Sequence, residues 1–242
     1  MRTLPSLISC VILLAHSSMV FGQVDVDPQA DEILKSINAY TSELESLLFS
    51  AEITEETVFA DSHKLQFGGT LQIGMRRPST FYSKYHADLE NRRMYLNNGT
   101  FTVFDEDVNV YAQAPAQGSL NQVFSLLQTK YGIEFPGGEL FSGNAYELLV
   151  ENATKVVYVG ASNVNGKDCH HIAGVLQNMD WQLWVRKGGD PELCKYVVTD
   201  RDVPMAPQFT ITFRKWEANA KIADQDFDFK APADAESIEF VR

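Results

Sequence analysis

Residues 168–185 read DCHHIAGVLQNMDWQLWV. A cysteine beside two histidines, with two tryptophans shortly after, reads either as a metal or catalytic site or as paired strands. Side-chain alternation decides between them. On an extended chain, neighbouring side chains point to opposite faces. Cys169 and His171 then share a face with Ala173 and Val175, while His170 falls on the other with Ile172. Three adjacent ligands cannot converge on one ion in that arrangement, and no H-x-x-x-H or C-x-x-C spacing supplies His171 with a partner. A turn over residues 177–180 joins the two halves, so the stretch is expected to be a β-hairpin. Trp181, Leu183 and Val185 form one of its faces, opposite Gln182, Trp184 and Arg186.

The same period of two continues on both sides. Downstream, strands are expected over 193–200 and 208–216, with Phe209, Ile211 and Phe213 on one face, and a last strand ends near Phe240. Upstream, KVVYVGA (155–161) runs into a turn at Asn165-Gly166. An earlier series alternates over 67–75 and continues with runs at 81–86, 92–96, 101–104 and 108–112. The Asn98-Gly99 pair between two of these runs is a tight-hairpin signal. Consecutive short strands of this kind make an antiparallel meander.

Helical signals interrupt the strands twice. Asp27 followed by Pro28 is a helix start, and Ala30, Ile33, Leu34, Ile37, Leu44, Leu47 and Leu48 recur at helical spacing behind it. Ser119 and Gln122 have capping-box spacing, and the stripe Leu120, Val123, Phe124, Leu127 stops at Tyr131-Gly132. After a loop at 136–138, residues 145–150 look like one further helical piece. The class is α+β: a long curled antiparallel sheet, an incomplete β-barrel, with helices covering its concave face. Such a sheet encloses an apolar groove. Leu71, Ile73, Met94, Leu96, Trp181, Leu183, Phe209, Ile211 and Phe213 are the candidate ligand-binding residues, with the first helix as a lid.

The chain begins MRTLPSLISCVILLAHSSMVFGQ, a basic residue, an apolar run and small residues before Gln23. Residues 1–22 are expected to be a signal peptide that carries Cys10 away, leaving 23–242 as one exported domain with no stable transmembrane anchor. Removing the leader takes only Arg2 from the formal net charge of −12. An acidic chain without basic clusters argues against nucleic acid and anionic membrane surfaces as partners. Cys169 and Cys194 remain, an even count for an oxidising compartment, so a disulfide is expected, with two free thiols as the alternative. The expected register sets Cys169 opposite Gly188 and Cys194 opposite Val185, past the tip of the middle strand.

No catalytic residue, metal site or cofactor is assigned. Gly160-Ala161-Ser162-Asn163-Val164 lacks the closing glycine of a nucleophile elbow. Asp224, Asp226 and Asp228 open like a calcium loop, but Phe229 and Ala235 stand where glycine and glutamate are needed. A hydrolase built on His171 and carboxylates is retained only as an alternative. Asn98-Gly99-Thr100 and Asn152-Ala153-Thr154 match the glycosylation sequon.

DCHHIAGVLQNMDWQLWV, then PELCKYVVTD, PQFTITFRKW and DFDFKAPADAESIEF, resembles the predicted periplasmic protein family catalogued as domain of unknown function 2092. The opening helix, DPQADEILKSINAYTSELESLLFSAEIT, also looks like that family's. The family is similar in fold to the LolA/LolB-type lipoprotein carriers, in which an incomplete barrel closed by helices holds acyl chains. The resemblance implies a half-barrel, a periplasmic address and an apolar or lipidic ligand, and carries over no catalytic residue. The alternative is an envelope structural or interaction module whose partner is a protein.

Overall fold

The computed structural model describes residues 24–133, 135, 137–141 and 144–240; the signal peptide expected over 1–22 lies outside them. Among the described residues, thirteen strands form one unclosed sheet. Strands β2 (Ser46–Val58), β3 (Lys64–Arg76), β4 (Thr80–Ala87), β5 (Asn91–Asn97), β6 (Thr100–Asp105) and β7 (Val110–Pro115) are the first meander. The second comprises β8 (Lys155–Val164), β9 (Lys167–Val175), β10 (Met179–Arg186), β11 (Leu193–Asp200) and β12 (Gln208–Ala218). β12 pairs antiparallel with β2 and welds the meanders together. The sheet is mixed, because its two outermost strands are parallel to their neighbours: β1 (Asp25–Val26) on β8 and β13 (Glu236–Ile238) on β7. Asn98 and Asn165, each before a glycine, take the positive φ of tight hairpins.

Three α-helices among the described residues lie over the concave face: α1 (Pro28–Glu43), α2 (Leu120–Tyr131) and α3 (Ala145–Val150). Asp27 accepts from the Gln29 and Ala30 amides, at 2.8 and 3.2 Å, and caps α1 as its sequence predicts. The helix stops earlier than its apolar stripe. Leu44 is already extended, and Leu47 and Leu48 belong to β2, where they face opposite sides. A helical repeat and a strand entering under it both supply apolar residues here, so spacing alone does not mark the boundary. Arg77 secures the junction. Its Nε donates to the Leu44 carbonyl at 3.0 Å, and Nη2 to the Thr41 and Phe141 carbonyls at 3.0 and 3.1 Å. A guanidinium at a helix C-terminus satisfies carbonyls that have no partner within the helix. No described helix is long and apolar enough to cross a membrane.

The hairpin 168–185 forms with the expected faces and a shifted register. Val175 stands opposite Asp180, and Cys169 opposite Arg186 instead of Gly188. Cys169 and Cys194 form a disulfide, with S–S 2.10 Å and Cα–Cα 6.8 Å. The route differs from the one expected. β10 has not ended at this level; Trp184 pairs with Lys195 and Val185 with Leu193, so Cys194 is the extra residue of a β-bulge. A bulge bends its strand and increases local twist. That brings β9 and β11 within bonding reach on the convex side, where the cysteines pack with Trp184 and Val197.

The C-terminal segment crosses the convex face of the first meander. Phe227 is buried against Tyr82, and Phe229 sits against Tyr95, Phe104 and Tyr111. Asp224 and Asp228 serve this strap: Arg76 pairs with Asp224 at 2.7 Å, and Asn97 donates to Asp228 at 2.8 Å.

Candidate functional site

Between the concave face and the helices, most of the volume is packed solid. On the β2–β5 side it is not. A cavity of about 400 Å³ lies there, with Phe49, Ile53, Leu71, Ile73, Met75, Phe81, Met94, Phe209 and Ile211 in its sheet wall. Its roof is Phe124 of α2 and the segment that follows. Gly132 ends α2 in the left-handed region, φ 65°, with its amide donating to the Gln128 carbonyl at 3.0 Å. The chain then folds back over the sheet, placing Ile133, Phe135, Gly137, Gly138 and Phe141 against the cavity. Gly137 comes closest. Its φ is 81°, and a Cβ there would stand 2.8 Å from Ile211 Cδ1.

Aromatic rings set the two ends of the roof. Phe124 stacks on Phe135 with centroids 4.5 Å apart, and both meet Phe81 edge-on. Phe141 stacks on Phe49 at 5.0 Å, beside Phe213 and Trp216. Edge-to-face and offset contacts of this kind fix ring positions as well as burying area.

Polar lining gathers at one end. Successive concave positions on β2 run Phe49, Ala51, Ile53, Glu55; on β4 they run Phe81, Ser83, Tyr85; on β5, read backwards, Leu96, Met94, Arg92. Tyr85 pairs with Arg92, so the polar ends of the β4 and β5 rows fall together, while Glu55 pairs with Phe67, four positions along β2 from the Ala51–Leu71–Tyr85 level, and lines the same cavity. Glu55, Tyr85, Glu90 and Arg92 line the cavity and are partly exposed; they are its mouth. Arg92 pairs with Glu90 at 3.0 Å. No hydrogen bond or ion pair to the Glu55 carboxylate is formed by any described residue. Burial, reinforced by the Glu55 and Glu90 charges, pushes the Tyr85 hydroxyl up to about 12, so it stays protonated at any physiological pH.

Of the apolar residues expected to touch ligand, Leu71, Ile73, Met94, Phe209 and Ile211 line this cavity. Leu96, Trp181, Leu183 and Phe213 share the concave face but are buried in the packed core and contribute no lining. The lid also differs from expectation. α1 packs on α3 and β8, and the cavity is roofed by Phe124 of α2 with Gly132, Ile133, Phe135, Gly137, Gly138 and Phe141 instead. Phe49, Phe124, Phe135 and the mouth residues went unassigned in the sequence. The signal was present for the mouth: the apolar rows of β2, β4 and β5 each end in a polar side chain.

His171 lies away from the cavity. It stacks on Trp184 on the convex face, centroids 4.0 Å apart, with Nε2 3.0 Å from Gln182 Oε1. Burial lowers its pKa, opposed by the Gln182 contact and aided by Lys195. His170, on the opposite face, meets the Tyr158 hydroxyl at 3.1 Å. Among the described residues no three His, Cys, Asp or Glu are grouped to hold a metal ion.

A family model described as "Predicted periplasmic protein (DUF2092)" matches residues 30–241. No curated protein matches the sequence. Among solved structures, an uncharacterised conserved protein from Thermus thermophilus is similar over 87% of this chain and 99% of its own, with 10% identity and a TM-score of 0.51. Lipoprotein LppX of Mycobacterium tuberculosis aligns over 81% of this chain and 98% of its own, with 15% identity and a TM-score of 0.45. A LolA superfamily protein from Nitrosomonas europaea, NE2245, aligns over 83% and 97%, with 11% identity and a TM-score of 0.34. At 10% identity the likeness to the Thermus thermophilus protein is one of fold alone.

Proposed function

We propose that this chain, which belongs to the DUF2092 family of predicted periplasmic proteins, is a periplasmic binding protein or carrier for a lipid, acyl chain or similar apolar ligand. The observation that supports the reading is the concave-face cavity of about 400 Å³, apolar within except for Ser83 and with its charged side chains at the mouth. Its size falls in the range of about 300–1,000 Å³ usual for small-molecule sites. Its length suits a chain-like ligand, since six residues of β2 separate Phe49 from Glu55, about 20 Å at strand spacing. Binding would draw on burial of apolar ligand surface, at about 25 cal/mol per Å² before the entropic costs of association.

Native mass spectrometry of the exported protein tests this directly. A non-covalent apolar adduct is expected from the wild type, removed by delipidation and restored on adding lipid. Ile211→Trp, which fills the cavity beneath Gly137, is expected to abolish the adduct while leaving the fold intact. A protein that takes up no apolar molecule before or after delipidation would end the proposal.

One observation favours a second reading, an envelope interaction module. Phe59, Leu65, Leu89, Val108 and Met205 are exposed apolar side chains at the strand ends nearest the mouth. Scattered apolar exposure is ordinary, but several such tips on one rim suit a protein contact. A stoichiometric envelope partner, lost from a Phe59→Ser/Leu89→Ser variant and retained with the cavity empty, is the outcome this reading expects.

A further inference from the structure

The mouth of the cavity carries an unbalanced charge. Glu90 and Arg92 neutralise each other at 3.0 Å, whereas the Glu55 carboxylate has no cation beside it among the described residues. All three line the same cavity, together with the Tyr85 hydroxyl. A ligand whose tail fills the apolar interior is expected to leave its polar end here, because the charged lining among the described residues is Glu55, Glu90 and Arg92. An anionic end would meet two carboxylates, Glu55 and Glu90, against one guanidinium among the described lining residues, Arg92, whose Nη2 is held by Glu90 and whose buried Nε has no hydrogen-bond partner. A cationic end would find a free carboxylate and a phenol oxygen able to accept a hydrogen bond.

We infer that the site selects amphiphiles with a positively charged, N–H-donating headgroup, an alkylammonium or aminolipid type, and that Glu55 is the residue that sets this preference. The inference rests on the carrier reading and specifies the ligand class of that same cavity. Glu55 acts here as a specificity determinant, held at the end of an apolar row by β2 pairing with β3 and β12. Attraction and repulsion at a partly exposed carboxylate are weaker than in a dry interior and are screened by salt.

The test compares dodecylamine, dodecanoate and neutral dodecanol, all below their aggregation concentrations, by titration calorimetry on the delipidated protein. Dodecylamine is expected to bind about tenfold more tightly than dodecanoate at low salt, the difference shrinking as salt is added. In Glu55→Gln the two should bind within about threefold of each other. Dodecanol binding with no preference between the charged pair, or a preference that survives in Glu55→Gln, overturns the headgroup assignment and leaves the carrier reading standing. Failure of all three to bind overturns both.

Discussion

Trp181→Ala is expected to lower the free energy of unfolding by about 3–5 kcal/mol, the range for removing a large buried aromatic side chain. Trp181 is 2% exposed and is among the largest fully buried side chains of the core. Its indole lies directly against Gly174 on β9. A Cβ at that glycine would stand 2.1 Å from the ring, so strand and ring are fitted to each other. Trp181 Nε1 also donates to the Leu149 carbonyl of α3, at 3.1 Å and fully buried. Alanine therefore opens a cavity and leaves that carbonyl without its partner, and both effects act in the same direction. Trp181→Phe separates them in part: an aromatic ring remains, the donor is lost and a smaller void is left where the rest of the indole stood, so its cost is expected to fall below that of alanine. Urea unfolding followed by circular dichroism reads both variants. A loss below about 1 kcal/mol for the alanine variant would show that α3 does not depend on this anchor.

Removing the Cys169–Cys194 disulfide should cost nearly as much. The bond closes a loop of 25 residues, for which the chain-entropy estimate is about 3.5 kcal/mol. For a chain of this length, that corresponds to a fall of about 7–14 °C in Tm. The double variant Cys169→Ala/Cys194→Ala is the cleaner measurement, because a single substitution leaves a reactive thiol. Reduction of the wild type should reproduce its Tm. The local consequence is specific as well: the Cys194 bulge and the Trp184 packing beside it lose their cross-link, and amide exchange in β11 should accelerate first. Equal Tm values for oxidised and reduced protein would contradict this.

Much of the architecture is legible along the chain because it depends on near neighbours. The Asn98-Gly99 and Asn165-Gly166 turns, the Asp27 cap and the Ser119–Gln122 capping box are local hydrogen-bonding devices, and each appears as written. What local pattern misplaces is equally instructive. The end of α1 is set by the Arg77 contacts to Thr41 and Leu44, which come from a residue more than thirty positions away. The Cys194 bulge, too, is a property of three paired strands and not of the residues 193–195 alone.

For the candidate site the division is sharper. Alternation by itself assigns Leu71, Ile73, Met94, Leu96, Trp181, Leu183, Phe209, Ile211 and Phe213 to one face, since a period of two leaves no freedom once the strands are drawn. It does not tell which of them border empty space. That is decided by what covers each stretch of the sheet: α1 and α3 press onto the second meander and close it around Trp181, while Gly132 turns the chain into a roof that stands off β2–β5. Faces are a matter of backbone geometry, carried by each residue and its neighbours. A cavity is a mismatch between two surfaces brought together from distant parts of the chain, and only the assembled tertiary structure contains both.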